Sequence, residues 1–508
     1  MAGLLKFIVS ISLLFQLVTA YPAADSQKSS APKVTWGDCP SQIPPGVDCG
    51  SINVPLAYQK GNSVAAKGDK TVKLGLTRLN HTGKAAKQGI LFYNPGGPGA
   101  GASLLVAAAG FVPQVAFSSE LRDAYDIIGL DPRGVGQSTP VQCDPKLFNE
   151  RVSTFVHNDD GYDALFNYSR RLGESCAKLT GPLINHLDTI HVVKDHEVVR
   201  KALGASKFNL LGVSYGTQIG TQYLSLFPKT VGRMALDGLV DHSQSETSSL
   251  LAESTTYETT LTKWFEWCDN NSTCALHGKN ASRVFDQVLE RADSKPIPAP
   301  GCKKTCRSNV TGEEIRYNVQ GFLVFVDLAL GNNWITLGEA VLEASKGNAT
   351  ALSTQLQTSR TSTDPSGSPY VYLATGCQDW KHKSRSWQDL RQKFIAAFVF
   401  APRTWGASQT YYYQSVCLGW PAPVTNPQAP LDDGIKEAPT VLLANAVFDP
   451  ETSITWAQGV REQLVNRVSV TRNGPGHTSH YLKGETSKAL DRFLATGKLP
   501  KDGTVYKS

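Results

Sequence analysis

The pentapeptide Gly212-Val213-Ser214-Tyr215-Gly216 constrains the fold of this chain more narrowly than any other stretch. The run Phe208-Asn209-Leu210-Leu211 before it is short, apolar and strand-like. The residues from Thr217 to Phe227 have helical periodicity, with Ile219 and Tyr223 on one face and Pro228 as the stop. A serine in such a strand-to-helix turn sits on strained backbone with its hydroxyl above the sheet. The flanking glycines are required because a Cβ at either position would meet the neighbouring strand or helix. The helix starting there turns its free N–H groups and dipole toward any anion forming at the hydroxyl. The pentapeptide alone is a weak signal in a chain with 44 glycines; the strand before it and the helix after it separate it from an ordinary turn.

The rest of the chain alternates strand and helix around this turn. Thr71 to Leu79 and Gly89 to Tyr93 read as strands, the second running into Asn94-Pro95-Gly96-Gly97-Pro98-Gly99-Ala100-Gly101. That loop lacks the Lys-Ser/Thr ending of a P-loop and the G-x-G-x-x-G spacing of a dinucleotide site. Tyr125 to Leu130 is a third strand, ending in Asp131-Pro132-Arg133-Gly134-Val135-Gly136-Gln137-Ser138. Thr189 to Leu203 is an amphipathic helix, and Arg233 to Leu236 a strand ending at Asp237. Pro439 to Ala444 leads to Asn445-Ala446-Val447-Phe448-Asp449-Pro450, and Val468 to Thr471 precedes Gly474-Pro475-Gly476-His477. The order Ser, Asp, His at the ends of successive strands is that of an α/β-hydrolase. The expected fold class is therefore α/β, an α/β-hydrolase fold with an inserted, mainly helical cap. The expected division is a signal peptide at 1–20, a linker at 21–35, core at 36–242, cap at 243–375 and a C-terminal part of the core at 376–508.

Within that order Ser214 is the expected nucleophile, His477 the base and then acid, and Asp449 the carboxylate that orients the imidazole. A serine hydroxyl is too weakly acidic to attack unaided, so the base must reach it. His480 competes with His477, and Asp237 and Asp241 with Asp449. His477 is preferred because two glycines and a proline set it in a sharp loop, and Asp449 because it ends a late strand ahead of that loop. The oxyanion hole is expected from backbone N–H groups of Tyr215 and Gly97. Pro98 has no N–H, which leaves Gly96, Gly97 or Gly99 as the loop's donor.

Composition excludes several other classes. A formal net charge of +6 over 508 residues, with no long basic run, does not indicate nucleic-acid binding. Lys6, the apolar run Phe7 to Val18 and Val18-Thr19-Ala20 form a secretory signal too short to span a bilayer comfortably, so a secreted, extracellular protein with no membrane segment is expected. Ten cysteines suit an oxidising compartment. Local pairing is the simplest arrangement: Cys39–Cys49, Cys143–Cys176, Cys268–Cys274, Cys302–Cys306 and Cys377–Cys417. No histidine pair accompanies Cys302 and Cys306, so no metal and no cofactor are expected. Sequons at Asn80, Asn167, Asn270, Asn271, Asn280, Asn309 and Asn348 fit a secreted glycoprotein. A monomer is expected.

Taken together, Asn94-Pro95-Gly96-Gly97-Pro98-Gly99, the Asp131 to Ser138 loop, Gly212-Val213-Ser214-Tyr215-Gly216-Thr217 and Cys417-Leu418-Gly419-Trp420-Pro421 resemble the secreted tripeptidyl-aminopeptidase branch of the prolyl-aminopeptidase-like serine peptidases. The resemblance runs from Trp36 to about Leu499. It implies an α/β-hydrolase core, a helical cap, a C-terminal portion carrying acid and base, and removal of residues from free peptide N-termini. Matched motif to motif, it also sets nucleophile, acid and base on Ser214, Asp449 and His477. The acid of that family is often followed by Thr-Pro, where this chain has Thr452-Ser453. The substrate partner expected is a peptide with a free N-terminus, whose ammonium asks for a carboxylate in the cap. Glu253, Glu258, Glu266 and Asp379 are the candidates. An esterase and an inactive binding glycoprotein remain as alternative readings. A fluorophosphonate probe is expected to label Ser214, and Ser214→Ala to abolish both labelling and turnover. Labelling elsewhere, or turnover by the variant, would sink the assignment of Ser214.

Overall fold

A computed structural model describes residues 32–507 apart from 42, 84–87, 113–114, 327–332 and 362–366. The expected signal peptide and most of the linker lie outside the described residues. Strands β1 (Thr35–Gly37), β2 (Asp48–Pro55), β3 (Thr71–Leu79), β4 (Ile90–Asn94), β5 (Asp126–Leu130), β6 (Phe208–Val213) and β7 (Val231–Asp237) come first in the chain. A two-stranded ribbon, β8 (Ile297–Pro298) with β9 (Asn309–Val310), separates them from β10 (Val441–Phe448), β11 (Arg467–Pro475) and β12 (Thr504–Lys507). The main sheet has ten strands in the order β1-β2-β3-β5-β4-β6-β7-β10-β11-β12. Pairings up to β3–β5 are antiparallel, and every pairing from β5 onward is parallel.

A parallel strand is joined to the next by a crossover, so helices cover both faces and the central strands are apolar throughout. β5 and β6 are buried at every position. Their side chains alternate between two separate cores, as a period of two demands. Phe208, Leu210, Ile128, Met234 and Leu236 face one core with Val192, Val199, Ile219 and Tyr223. Leu211, Val213, Ile127 and Ala235 face the other with Val106, Leu121, Leu490 and Phe493. Helices α1 (Ala102–Ala108) and α2 (Ser119–Ala124) therefore cover one face. After α3 (Pro145–Phe148) and α4 (Asp159–Thr180), helices α5 (Thr189–Ala202) and α6 (Tyr215–Leu226) cover the opposite one.

Between β7 and β10, apart from the short β8–β9 ribbon, the regular structure is helical among the described residues. Helices α7 (Glu246–Asn270), α8 (Ala281–Ser294), α9 (Gly312–Leu323) and α10 (Trp334–Ser345) pack around a core of their own, in which Leu261, Trp264, Phe285, Val319, Trp334 and Leu337 are buried. Full burial of each such side chain contributes about 1.5–3 kcal/mol. Thr311 and Glu314 form a reciprocal capping box that starts α9, and the Ser245 hydroxyl accepts from Ser248 N–H to start α7. Helices α11 (Pro369–Asp379), α12 (Trp387–Phe400) and α13 (Gln409–Val416) return the chain toward the sheet, and Val371, Leu373 and Val416 join the core beneath α5 and α6. The Cys417 to Pro421 motif packs on α4: a Cβ on Gly419 would stand 2.2 Å from the Phe166 carbonyl. Helices α14 (Ile454–Gln463) and α15 (Gly484–Thr496) complete the layers.

Five disulfides join Cys39 to Cys49, Cys143 to Cys176, Cys268 to Cys274, Cys302 to Cys306 and Cys377 to Cys417. None of the seven sequon asparagines is buried. Among the described residues no helix is long and apolar enough to cross a membrane, and no group of His, Cys, Asp and Glu is arranged to hold a metal ion. Cys377 and Cys417 are both fully buried and tie α11 to the end of α13 across a separation of 40 residues. Closing a loop of that length is worth about 2–4 kcal/mol. Paired Cys377→Ala and Cys417→Ala substitution is expected to lower unfolding stability by that amount in urea titration; a change under about 0.5 kcal/mol would show that the loop is held by packing alone.

Candidate active site

β6 ends at Val213, α6 begins at Tyr215, and Ser214 between them has φ 56° and ψ −125°. A residue with a β-carbon at positive φ costs about 1–3 kcal/mol and persists only where its surroundings over-determine it. They do so here. Ser214 N–H donates to the Asp237 carbonyl at 2.8 Å, and its own carbonyl accepts from Thr217 N–H and Oγ1 at 2.8 and 2.7 Å. A Cβ on Gly212 would lie 2.6 Å from the Gly216 carbonyl, and one on Gly216 would lie 2.7 Å from the Asn94 carbonyl. The loop after β4 packs directly on the turn: a Cβ on Gly96 would lie 2.7 Å from both Ser214 Cβ and the Val213 carbonyl. Ser214 is partly exposed above this packing.

Asp449 follows β10 and is completely buried. Its carboxylate accepts His477 Nδ1–H at 2.8 and 2.9 Å and the backbone N–H groups of Glu451, Thr452 and Thr478 at 3.0, 2.8 and 3.1 Å. Burial opposes its charge, but His477 and these donors outweigh burial and hold the pKa below the usual aspartate value. With Nδ1 committed to Asp449, Nε2 is the nitrogen left to exchange a proton. Burial likewise opposes charge on His477, yet Asp449 and Glu451 raise its pKa to about 9. The histidine loop is held from the helical side too, since His477 N–H donates to the Val324 carbonyl at 2.8 Å.

The competitors are occupied elsewhere. His480 is packed among Tyr93, Phe117 and Tyr481, and burial drives its pKa well below the ordinary value. Asp237 accepts the backbone N–H groups of Ser479 and His480. Asp241 is taken by Ser243, Gln244 and Gln463. Of the three possible loop donors, Gly96 spends its N–H on Asn94 Oδ1 at 3.0 Å. Gly97 lines the cleft beside Ser214 and Tyr215, and Gly99 does not. The Asp131 to Ser138 loop serves the scaffold. Asp131 accepts from Ser103 and Gln137, and the buried Arg133 pairs with Asp195.

Of the carboxylates expected to meet a substrate amine, Glu253 and Asp379 line the Ser214 cleft, and Glu258 and Glu266 do not. Glu258 accepts from the backbone of Arg403 and Thr404, and Glu266 pairs with Lys263 on the surface. Burial raises Glu253 and Asp379 to about 7 each. Two residues near the base had no sequence signal beyond their nearness to Asp449. Thr452 Oγ1 lies 3.3 Å from His477 Nδ1, and Glu451 Oε2 lies 3.4 Å from His477 Nε2. Ser214, Gly97 and Tyr215 line one cleft with Glu451 and Thr452, which in turn lie against the Asp449–His477 pair, and such a set can carry out acyl transfer by a serine nucleophile.

A histidine must be neutral to accept a proton, so with His477 as the expected base its raised pKa places the acid-side loss of activity higher than an ordinary histidine would. kcat/KM is expected to fall on acidification through an apparent pKa above 6.5 and toward 9. His477→Ala is expected to remove turnover and His480→Ala to keep most of it. A limb at or below 6.5 would show that the carboxylates do not set the base.

Family comparison supports this chemistry. A model of the alpha/beta hydrolase fold matches residues 89–406, and a model described as TAP-like protein matches residues 401–506. The chain is similar to a tripeptidyl aminopeptidase of Streptomyces lividans, 28% identical over 484 residues that cover 92% of this chain and 85% of the relative. It is similar to the serine protease Hip1 of Mycobacterium tuberculosis, 27% identical over 92% of this chain and 90% of the relative. A carboxylesterase B of Mycobacterium tuberculosis is 26% identical over 92% of this chain and 89% of the relative. With its sheet order, its strained serine turn and a family model covering more than half its length, the chain belongs to the α/β-hydrolase family.

Proposed function

We propose that the protein is a secreted serine exopeptidase that releases short peptides or single residues from free peptide N-termini. One observation carries the reading: the cleft that holds Ser214 is lined by a partly exposed carboxylate, Glu451, beside the buried Glu253 and Asp379. An ester gives such a wall nothing to bind, whereas a peptide N-terminus brings a cation. The similarity to a tripeptidyl aminopeptidase supports it. Export is supported by the disulfides and by sequons that are nowhere buried.

In the proposed reaction His477 Nε2 takes the proton of Ser214 Oγ as that oxygen attacks the scissile carbonyl. Asp449 holds the imidazole by Nδ1 and stabilises the imidazolium. The N–H groups of Tyr215 and Gly97 receive the oxyanion, aided by the N-terminus of α6. His477 then protonates the leaving amine, and water, activated by the same nitrogen, releases the N-terminal fragment from Ser214.

Matched chromogenic peptides with free and acetylated N-termini test the assignment. Acetylation is expected to lower kcat/KM at least about tenfold, because a site built around a cation is left unpaired without one. Equal turnover of the two would reject aminopeptidase action, and hydrolysis of simple acyl esters alone would place the protein with the esterases.

A further inference from the structure

The three carboxylates of the cleft are not equivalent. A carboxylate offers about four acceptor sites, and in two of them these are filled from within the protein. Glu253 accepts from Gln320 Nε2, Gln409 N–H, and the N–H and hydroxyl of Thr410. Asp379 accepts from the N–H and hydroxyl of Thr189, from Gln218 Nε2 and from Asn426 Nδ2. An incoming ammonium would have to displace those donors. Glu451 has acceptor capacity to spare: its carboxylate has His477 Nε2 at 3.4 Å and the Gln409 side chain as neighbours, and its side chain is 20% exposed. Its backbone N–H is fixed on Asp449 at 3.0 Å, so the side chain projects from an anchored loop.

Glu451 lines the Ser214 cleft and also a larger cavity of about 700 Å³, whose walls include Tyr317, Tyr372, Trp405 and Tyr412. It therefore stands where the two spaces meet, against the nitrogen that must accept the serine proton.

We infer that Glu451 is the carboxylate that receives the terminal ammonium of the substrate, and that in the resting enzyme it holds His477 Nε2 and withholds the base. The inference rests on the aminopeptidase reading above and names the group that enforces it. An anion beside Nε2 stabilises the imidazolium, which has no lone pair there for Ser214. When an ammonium pairs with Glu451, the carboxylate is neutralised and turns from the ring. The imidazolium then gives its Nε2 proton to solvent, and neutral His477 becomes available to Ser214. A substrate with a blocked N-terminus leaves Glu451 on the histidine. Selection for free N-termini thus acts on kcat as well as on KM.

Glu451→Gln keeps the shape and removes the charge. In this variant the ratio of kcat/KM for free over acetylated peptide is expected to collapse by about tenfold or more, through a higher KM for the free peptide and faster turnover of the acetylated one. A fluorophosphonate, which carries no amine, is expected to label Ser214 at least as fast as in the wild type. Glu451→Asp, with its charge retained, is expected to keep part of the preference that Glu451→Gln loses, and thermal unfolding checks that both variants fold. A preference unchanged in Glu451→Gln overturns the inference and leaves the aminopeptidase reading standing. So does an equal preference in Asp and Gln variants, or labelling lost together with turnover of both peptides. A wild type without preference for the free N-terminus overturns the reading itself.

Discussion

Everything else in the molecule is arranged around a serine held at φ 56° where β6 meets α6. The strain, about 1–3 kcal/mol, is small beside what the flanking layers provide, but it must be opposed locally or the turn relaxes. The opposition is steric. Three glycines, at 96, 212 and 216, allow backbone to approach backbone so closely that a methyl group at any of them would overlap a neighbour. β4, β6 and α6 are thereby locked to one another at the point where the hydroxyl emerges. The ten-stranded sheet holds that point from below, with both faces of its central strands buried.

Buried carboxylates do a second job around the cleft, and their surroundings divide them. Asp449 stays ionised because backbone donors and a histidine converge on it. Glu253 accepts the first N–H groups of α13, and Asp379 joins α5, α6 and the segment before β10. These two stitch the walls of the cleft together, and burial leaves them only weakly acidic, near 7. An acidic cleft is thus partly a by-product of how its walls are joined. This is why counting acidic residues does not locate a cation site, and why free acceptor capacity is the more informative quantity.

The α/β-hydrolase class was legible because its signals are local and successive: apolar runs of strand length, a glycine-bracketed serine, and late loops carrying Asp and His. Ser214, Asp449 and His477 were named from those signals, and the structure brings Asp449 and His477 to 2.8 Å. The contacts of Glu258 were not legible. Its carboxylate faces Arg403 and Thr404, about 145 residues later in the chain, a pairing that no periodicity encodes. Glu451 is not legible for the opposite reason, since it lies two positions from Asp449 and reads as an ordinary loop charge. Only the three-dimensional path of the Asp449 loop turns it toward the imidazole. The buried Arg133–Asp195 pair and the packing of Gly419 on α4 likewise depend on partners far off in sequence.

The bond from His477 N–H to the Val324 carbonyl links the histidine loop to the end of α9 in the inserted helical layer. Gly476 is drawn into the same contact, since a Cβ there would lie 3.0 Å from that carbonyl. The insertion is therefore no detachable lid. A rearrangement of α9 also shifts the loop that carries His477, so the helical layer and the Asp449–His477 pair are mechanically linked. Exchange of the helical layer between members of such a family would have to restore the carbonyl that His477 N–H bonds. Diversification is easier in side chains that line the cleft than in the backbone that frames it.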